Sequence, residues 1–281
     1  MHRQSAGFFG HGETYDSAAR RSPFVEEFAA LLHYRDLVVQ LIGRTIKTRY
    51  KRSVLGVAWT MVNPLLTMVV LTLVFSTLFR FDTRGYALYV LSGLLVWNFF
   101  AQTTTAAMGD LVWSGDLIGR IFLPKSAFAV SAIGTGLVNW LLALAPYTII
   151  ALVLGEPPSW TWILLPIPML ALGMLALGVG LGLSAAAVYF PDVVPTYEVL
   201  LMAWMYLTPV IYPVSALPPY ARFVLQFNPV VYPMESFRAL LLEGRVPGIV
   251  DVALSLLVGL AALIIGWWVF TSRSREYAYR V

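Results

Sequence analysis

Apolar residues run almost unbroken through six stretches of this chain, at about 54–79, 86–108, 126–154, 159–190, 196–214 and 249–271. A stretch of about 20 apolar residues spans the roughly 30 Å hydrocarbon core as a helix, and a helix satisfies its own backbone polar groups in lipid. The pattern predicts an all-α membrane protein with six transmembrane helices. Pro64 is placed to kink the first span, Pro166 and Pro168 to tilt or break the long fourth, and Pro209 and Pro213 to punctuate the fifth. Gly173, Gly178, Gly180 and Gly182 on the fourth span read as close helix packing, Gly178 and Gly182 having the G-x-x-x-G spacing.

The segments outside the spans divide the chain further. Residues 1–22 are polar, lack the apolar core of a signal peptide, and read as a mobile or partly ordered tail. Residues 23–53 form an interface region. Phe24, Phe28, Leu31, Leu32, Val38, Leu41 and Ile42 recur there at three- and four-residue steps between Glu26, Glu27, Arg35 and Arg44, as in an amphipathic helix on the membrane surface. A soluble-facing helix packed on a partner is the alternative. Residues 54–271 hold the six spans, and 272–281 form a polar tail. Within 215–247 two apolar runs, YARFVLQF after Pro218-Pro219 and PMESFRALLLEG up to Gly244, are too short to span. They predict two short re-entrant or interfacial helices before the last span.

Composition agrees: 59% of residues are hydrophobic and 12% charged, against about 25% charged in soluble domains. There are no cysteines, so disulfides, thiolate metal sites and cysteine nucleophiles are excluded. His2, His11 and His33 form no ligand spacing. The net charge of +4 is distributed for a membrane surface rather than nucleic acid: the predicted topology puts fourteen of the 19 Lys and Arg residues on one side. The positive-inside rule makes that side, with both termini, cytoplasmic, and places 215–247 at the outer face. No G-x-x-x-x-G-K-[ST] occurs around Lys47, Lys51 or Lys125, so no phosphate loop is present.

The densest signal is RTIKTRYKRSVLGVAWTMVNP, in which Arg44, Lys47, Arg49, Lys51 and Arg52 crowd the start of the first span. Charge alone is equally explained by anchoring on anionic lipid head groups. Within it TRYKRSVLGVAW, together with AAAVYFPDVVPTYEV at 185–199 and NPVVYPMESFRALLLEG at 228–244, resembles the permease subunits of polysaccharide-exporting ABC transporters, which serve O-antigen, capsule, teichoic acid and galactan. The likeness covers about 32–281. It departs from the family pattern near Pro191 and Asp192, where the family usually has basic residues.

The resemblance implies a type-2 ABC exporter fold in the bacterial cytoplasmic membrane. A homodimer of permeases would be driven by two separate ATPase subunits, which carry ATP and Mg, and would move a polysaccharide linked to polyprenyl pyrophosphate. The chain itself would be a transport subunit and not an enzyme. Arg49, Lys51 and Arg52 would meet the pyrophosphate. The loop 111–125, with Leu111, Asp116, Leu117, Ile118, Arg120 and Ile121, would dock on the ATPase; exposed apolar residues on such a loop need a partner or the membrane surface. Trp59, Phe75 and Phe79 on the first span and Trp204, Tyr206 and Tyr212 on the fifth are candidates to stack on sugar rings, packing or the interfacial belt being the ordinary use of such residues. Pro229, Glu235, Phe237 and Arg238 would form an outer gate, Glu235 and Arg238 pairing near the surface. Asp110, Glu198 and Asp251 lie near span ends, where charge can snorkel, so no proton relay is read. A drug or small-lipid exporter of the same architecture is the nearer alternative. A membrane-embedded glycosyltransferase or a proton-coupled carrier would want mid-span acidic or histidine residues, which are lacking.

Overall fold

The computed structural model describes residues 23–51, 59–78, 83–113 and 124–273. These form ten α-helices and no strand: α1 (Pro23–His33), α2 (Arg35–Tyr50), α3 (Trp59–Leu78), α4 (Thr83–Trp113), α5 (Ser126–Leu154), α6 (Pro166–Tyr189), α7 (Val193–Tyr206), α8 (Pro219–Leu225), α9 (Val231–Leu241) and α10 (Ile249–Ser272). Short 3₁₀ turns at Trp160–Leu164 and Val214–Ala216 join them.

Among the described residues, three helical stretches are long and apolar enough to cross a membrane: Ser126–Leu154, Trp160–Tyr189 and Ile249–Ser272. The apolar part of α3, Met61–Ser76, is shorter. α7, with 14 residues, measures about 21 Å at 1.5 Å per residue. Several expected boundaries change. The second span lies inside a longer helix that runs on to Trp113, into the predicted loop. The fourth is divided, because Pro166 opens α6 at its first turn and the residues before it form the 3₁₀ turn. The fifth does not reach 214: its helix stops at Tyr206. The amphipathic region is two helices broken at Tyr34.

α4 is the centre of the bundle, packing on α3, α5, α6, α7 and α9. The most extensive helix pair is α6 with α10. A Cβ on Gly178 would overlap the Ala262 backbone, one on Gly266 the Gly178 carbonyl, and one on Gly259 the Ala171 carbonyl. Only bare backbone allows that approach, which is how small residues serve membrane helix contacts. Gly180 packs against Ala107 of α4, whereas Gly173 has only Ile133 near it and borders a groove.

The two ends of the bundle differ. At one end α1 lies across α5 and α10. Glu27 accepts hydrogen bonds from the Ser126 backbone N–H and hydroxyl, both 2.9 Å, and so caps the α5 N-terminus. The Trp267 indole donates to the Phe24 carbonyl at 3.3 Å, with the Phe24 and Phe28 rings edge-on to it. At the other end α9 is held by the 3₁₀ turn after α5: Thr161 donates to the Leu240 carbonyl at 2.6 Å and Trp162 to that of Leu241 at 3.1 Å. The Gly155 cap, at φ +89°, ends α5 there.

Candidate functional site

Where the fifth span was expected to continue, the backbone leaves the helix after Tyr206. Non-helical backbone at membrane depth persists only where protein or water satisfies its polar groups, and here protein does so. Arg238 of α9, 1% exposed, sends its guanidinium into the segment and donates to the Pro209 carbonyl at 2.6 Å and the Val210 carbonyl at 3.0 Å. The Tyr86 hydroxyl donates to Ile211 O at 2.9 Å, and the Tyr89 hydroxyl to Tyr212 O at 2.9 Å. The Asn228 amide donates to Leu207 O at 3.2 Å and to the Thr208 hydroxyl at 2.9 Å. Arg238 also donates to the Tyr89 hydroxyl at 2.7 Å and stacks 3.8 Å from that ring's centre. Its ion pair with Glu235, 3.2 Å and half exposed on the Glu side, is the outermost contact of this knot.

The expected Glu235–Arg238 pair is thus present, but the arginine is a core residue. Gly93 makes room for it: a Cβ there would overlap the guanidinium and the Val210 backbone. Phe237 is fully buried, edge-on to Trp140 at 5.8 Å, and Pro229 is partly buried beside Asn228. Sequence reasoning missed Tyr86, Tyr89, Asn228 and Ser92, whose hydroxyl accepts from Arg238 Nε at 3.4 Å. Pro209 and Pro213 were the available signal, since prolines that free carbonyls inside a predicted span require donors elsewhere.

The aromatic candidates separate. Trp204 donates its indole N–H to Asn228 Oδ1 at 3.0 Å and packs edge-on against Phe100 and Trp97. Tyr212, partly buried, donates to the Tyr206 carbonyl at 2.9 Å. The Tyr206 ring itself is 64% exposed. Phe75 is partly buried on α3 against the core. Trp59 opens α3, with its side chain outside the described residues, where Phe79 also lies.

At the α1 end, Arg44, Lys47 and Lys51 share one face of α2 with Gln40, Gly43 and Thr48 and line a groove of 490 Å³. Arg49 is exposed but lies round the helix from that groove, and Arg52 falls outside the described residues. Of the docking loop, Leu111 is the last turn of α4, and Asp116, Leu117, Ile118, Arg120 and Ile121 lie outside the described residues. The loop ends at Lys125, whose ammonium burial holds below the usual lysine range, Glu27 acting in the opposite sense. Among the described residues no cluster of His, Asp or Glu could hold a metal ion.

A bundle with an amphipathic double helix at one end and paired short helices at the other can be compared with known proteins. Residues 36–242 match the ABC-2 type transporter family. The chain belongs to that family. It is 30% identical over 250 residues to the O-antigen export system permease protein RfbA of Myxococcus xanthus, covering 88% of this chain and 96% of that one. Two proteins of the same description from Klebsiella pneumoniae are 24% and 25% identical over 244 residues, each covering 86% of this chain and 94% of theirs. Membership in an ABC-2 family makes this a membrane transport subunit that assembles with an ATPase subunit, and the matched range spans both the basic groove and the Arg238 knot.

Proposed function

We propose that this chain is the permease subunit of an ABC transporter that exports a polysaccharide such as O-antigen, carried on polyprenyl pyrophosphate. The observation that carries the reading is the 30% identity to an O-antigen export permease across 88% of the chain. Two copies would form the conduit in the bacterial cytoplasmic membrane, each crossing six times with both termini inside. Two ATPase subunits, holding ATP and Mg, would drive them.

The parts take roles in this reading. The α2 end is cytosolic. Its groove presents Arg44, Lys47 and Lys51 to an anionic head group at the membrane surface. The loop 111–125 docks on the ATPase, and Glu27 ties the end of that loop to α1. At the outer end the Arg238 knot makes the 207–213 segment, α9 and the start of α4 move as one piece. A gate built there opens by displacing that piece and not by unravelling it. Tyr206, exposed beside the knot, offers a ring face to sugars, while Trp204 holds Asn228 of the knot from within.

The testing experiment is deletion of the gene in cells that make the polymer. Lipid-linked polymer should accumulate inside while the surface loses it, and the wild-type chain should restore export. Unaltered surface polymer in the deletion strain would overturn the reading.

A further inference from the structure

We propose that a cleft between α3, α4 and α5 receives hydroxyl groups of the exported polymer, making Asn98, Gln102 and the Trp140 indole a hydroxyl-recognition step midway through the membrane. The inference rests on the polysaccharide reading above. The cleft is lined by the carboxamides of Asn98, Gln102 and Asn139 together with Pro64, Gly136 and Trp140. Asn98 and Gln102 are one helical turn apart near the middle of α4, and Asn139 is near the middle of α5. All three therefore sit far from both bundle ends. A Cβ on Gly136 would overlap the Thr103 methyl and crowd the Phe99 ring, so α5 comes against α4 there and forms the cleft floor.

Two observations call for a ligand. Gln102 is exposed, and Asn98 is partly so, at a depth where hydrocarbon offers amides no hydrogen bonds. Intramembrane polar side chains face a partner helix or a wet cavity for that reason. Trp140 is 7% exposed, and its indole N–H has no partner among the described residues, whereas buried indoles ordinarily find one. A hydroxyl answers both needs, because it accepts from an N–H and donates to a carboxamide oxygen at once. Among the described residues no charged side chain lines the cleft, so it suits neutral sugar hydroxyls and not phosphate or carboxylate. Its free space of 40 Å³ admits one or two water-sized groups and not a ring. The sugar ring would stay at the mouth beside Gln102 while a hydroxyl enters. Water is the other source of the same chemistry.

The test uses Asn98→Leu and Gln102→Leu in the full permease–ATPase complex, in a strain lacking the native copy. Surface polymer per folded complex is measured, with dimer assembly and thermal stability recorded alongside. Loss of one such hydrogen bond predicts export lower by about 3- to 10-fold, with stability at or above wild type because an intramembrane amide is gone. Gln102→Asn, which keeps the carboxamide, should be milder. Wild-type export per folded complex in both leucine variants means that the cleft holds only water, and overturns the inference. Loss of dimer assembly would make it a contact between copies and overturn it equally. If Asn98→Leu yields no folded complex, Gln102→Leu at the exposed mouth decides. A wild-type chain that restores no surface polymer would remove the polysaccharide reading and this inference with it.

Discussion

Replacing Arg238 by Met removes the cation that closes the unwound segment while leaving an unbranched chain of similar reach. The Val210 carbonyl then loses its donor at 3.0 Å, the Pro209 carbonyl loses the one at 2.6 Å and is left with the Tyr89 hydroxyl at 3.2 Å, and that hydroxyl loses its own donor at 2.7 Å. A hydrogen bond to a charged group contributes about 1.5–3 kcal/mol, and a buried acceptor left unsatisfied costs about 1–3 kcal/mol. The terms overlap. Burying the charge already costs several kcal/mol, which Met recovers, so the net loss should be about 3–5 kcal/mol. At roughly 2–3 °C per kcal/mol for a chain of this size, the detergent-purified complex should melt about 6–15 °C lower. Arg238→Lys keeps a charge but not the fork that spans two carbonyls, and should lose about half as much. Gly93→Ala should reproduce part of the defect from another helix, because its methyl takes the guanidinium's place. A double-mutant cycle of Arg238→Met with Tyr89→Phe should show coupling of about 1 kcal/mol or more. A melting point for Arg238→Met within about 1 °C of wild type would refute the reasoning, since an unpaired Val210 carbonyl at that depth has no cheap alternative.

Three further outcomes follow from the same geometry. The chain has no cysteine, so single cysteines report topology directly: Glu156→Cys should react with an impermeant reagent in intact cells and Asp192→Cys should not. The reverse labelling would invert the orientation. Neutralising Arg44, Lys47 and Lys51 together to Gln should cut export while dimer and ATPase assembly persist; altered insertion instead would make the cluster a lipid anchor. Tyr206→Ala, at an exposed ring, should change stability by less than about 0.5 kcal/mol yet slow export per folded complex, with Tyr206→Phe milder. Equal export in both would take the ring off the polymer's path.

Much of the bundle was legible because apolar length alone reports a span. α5 and α10 fall where the pattern put them, and the short helices α8 and α9 follow their proline and glycine punctuation. Helix rotation was not legible, because α3, α5 and α6 are apolar nearly all round and show no preferred face. The glycines of α6 were visible in the sequence, but Ala262 and Gly266, which meet Gly178, become meaningful only once α10 is laid against it. Arg238 hid for a different reason. Three residues after a glutamate on a short helix it reads as half of a surface pair, and nothing local announces that it reaches the Pro209 and Val210 carbonyls. The basic cluster was plain, yet five closely spaced cations do not reveal which share a groove until α2 is seen to present Arg44, Lys47 and Lys51 together.

The most direct test of the central claim is translocation in proteoliposomes. The permease would be purified with its ATPase, reconstituted, and supplied with radiolabelled lipid-linked polymer on the side exposing the ATPase. The prediction is ATP-dependent appearance of polymer on the opposite side, requiring both subunits and abolished by an ATPase variant that binds but does not hydrolyse ATP. Polymer that stays in its original leaflet while the complex hydrolyses ATP at full rate would contradict it.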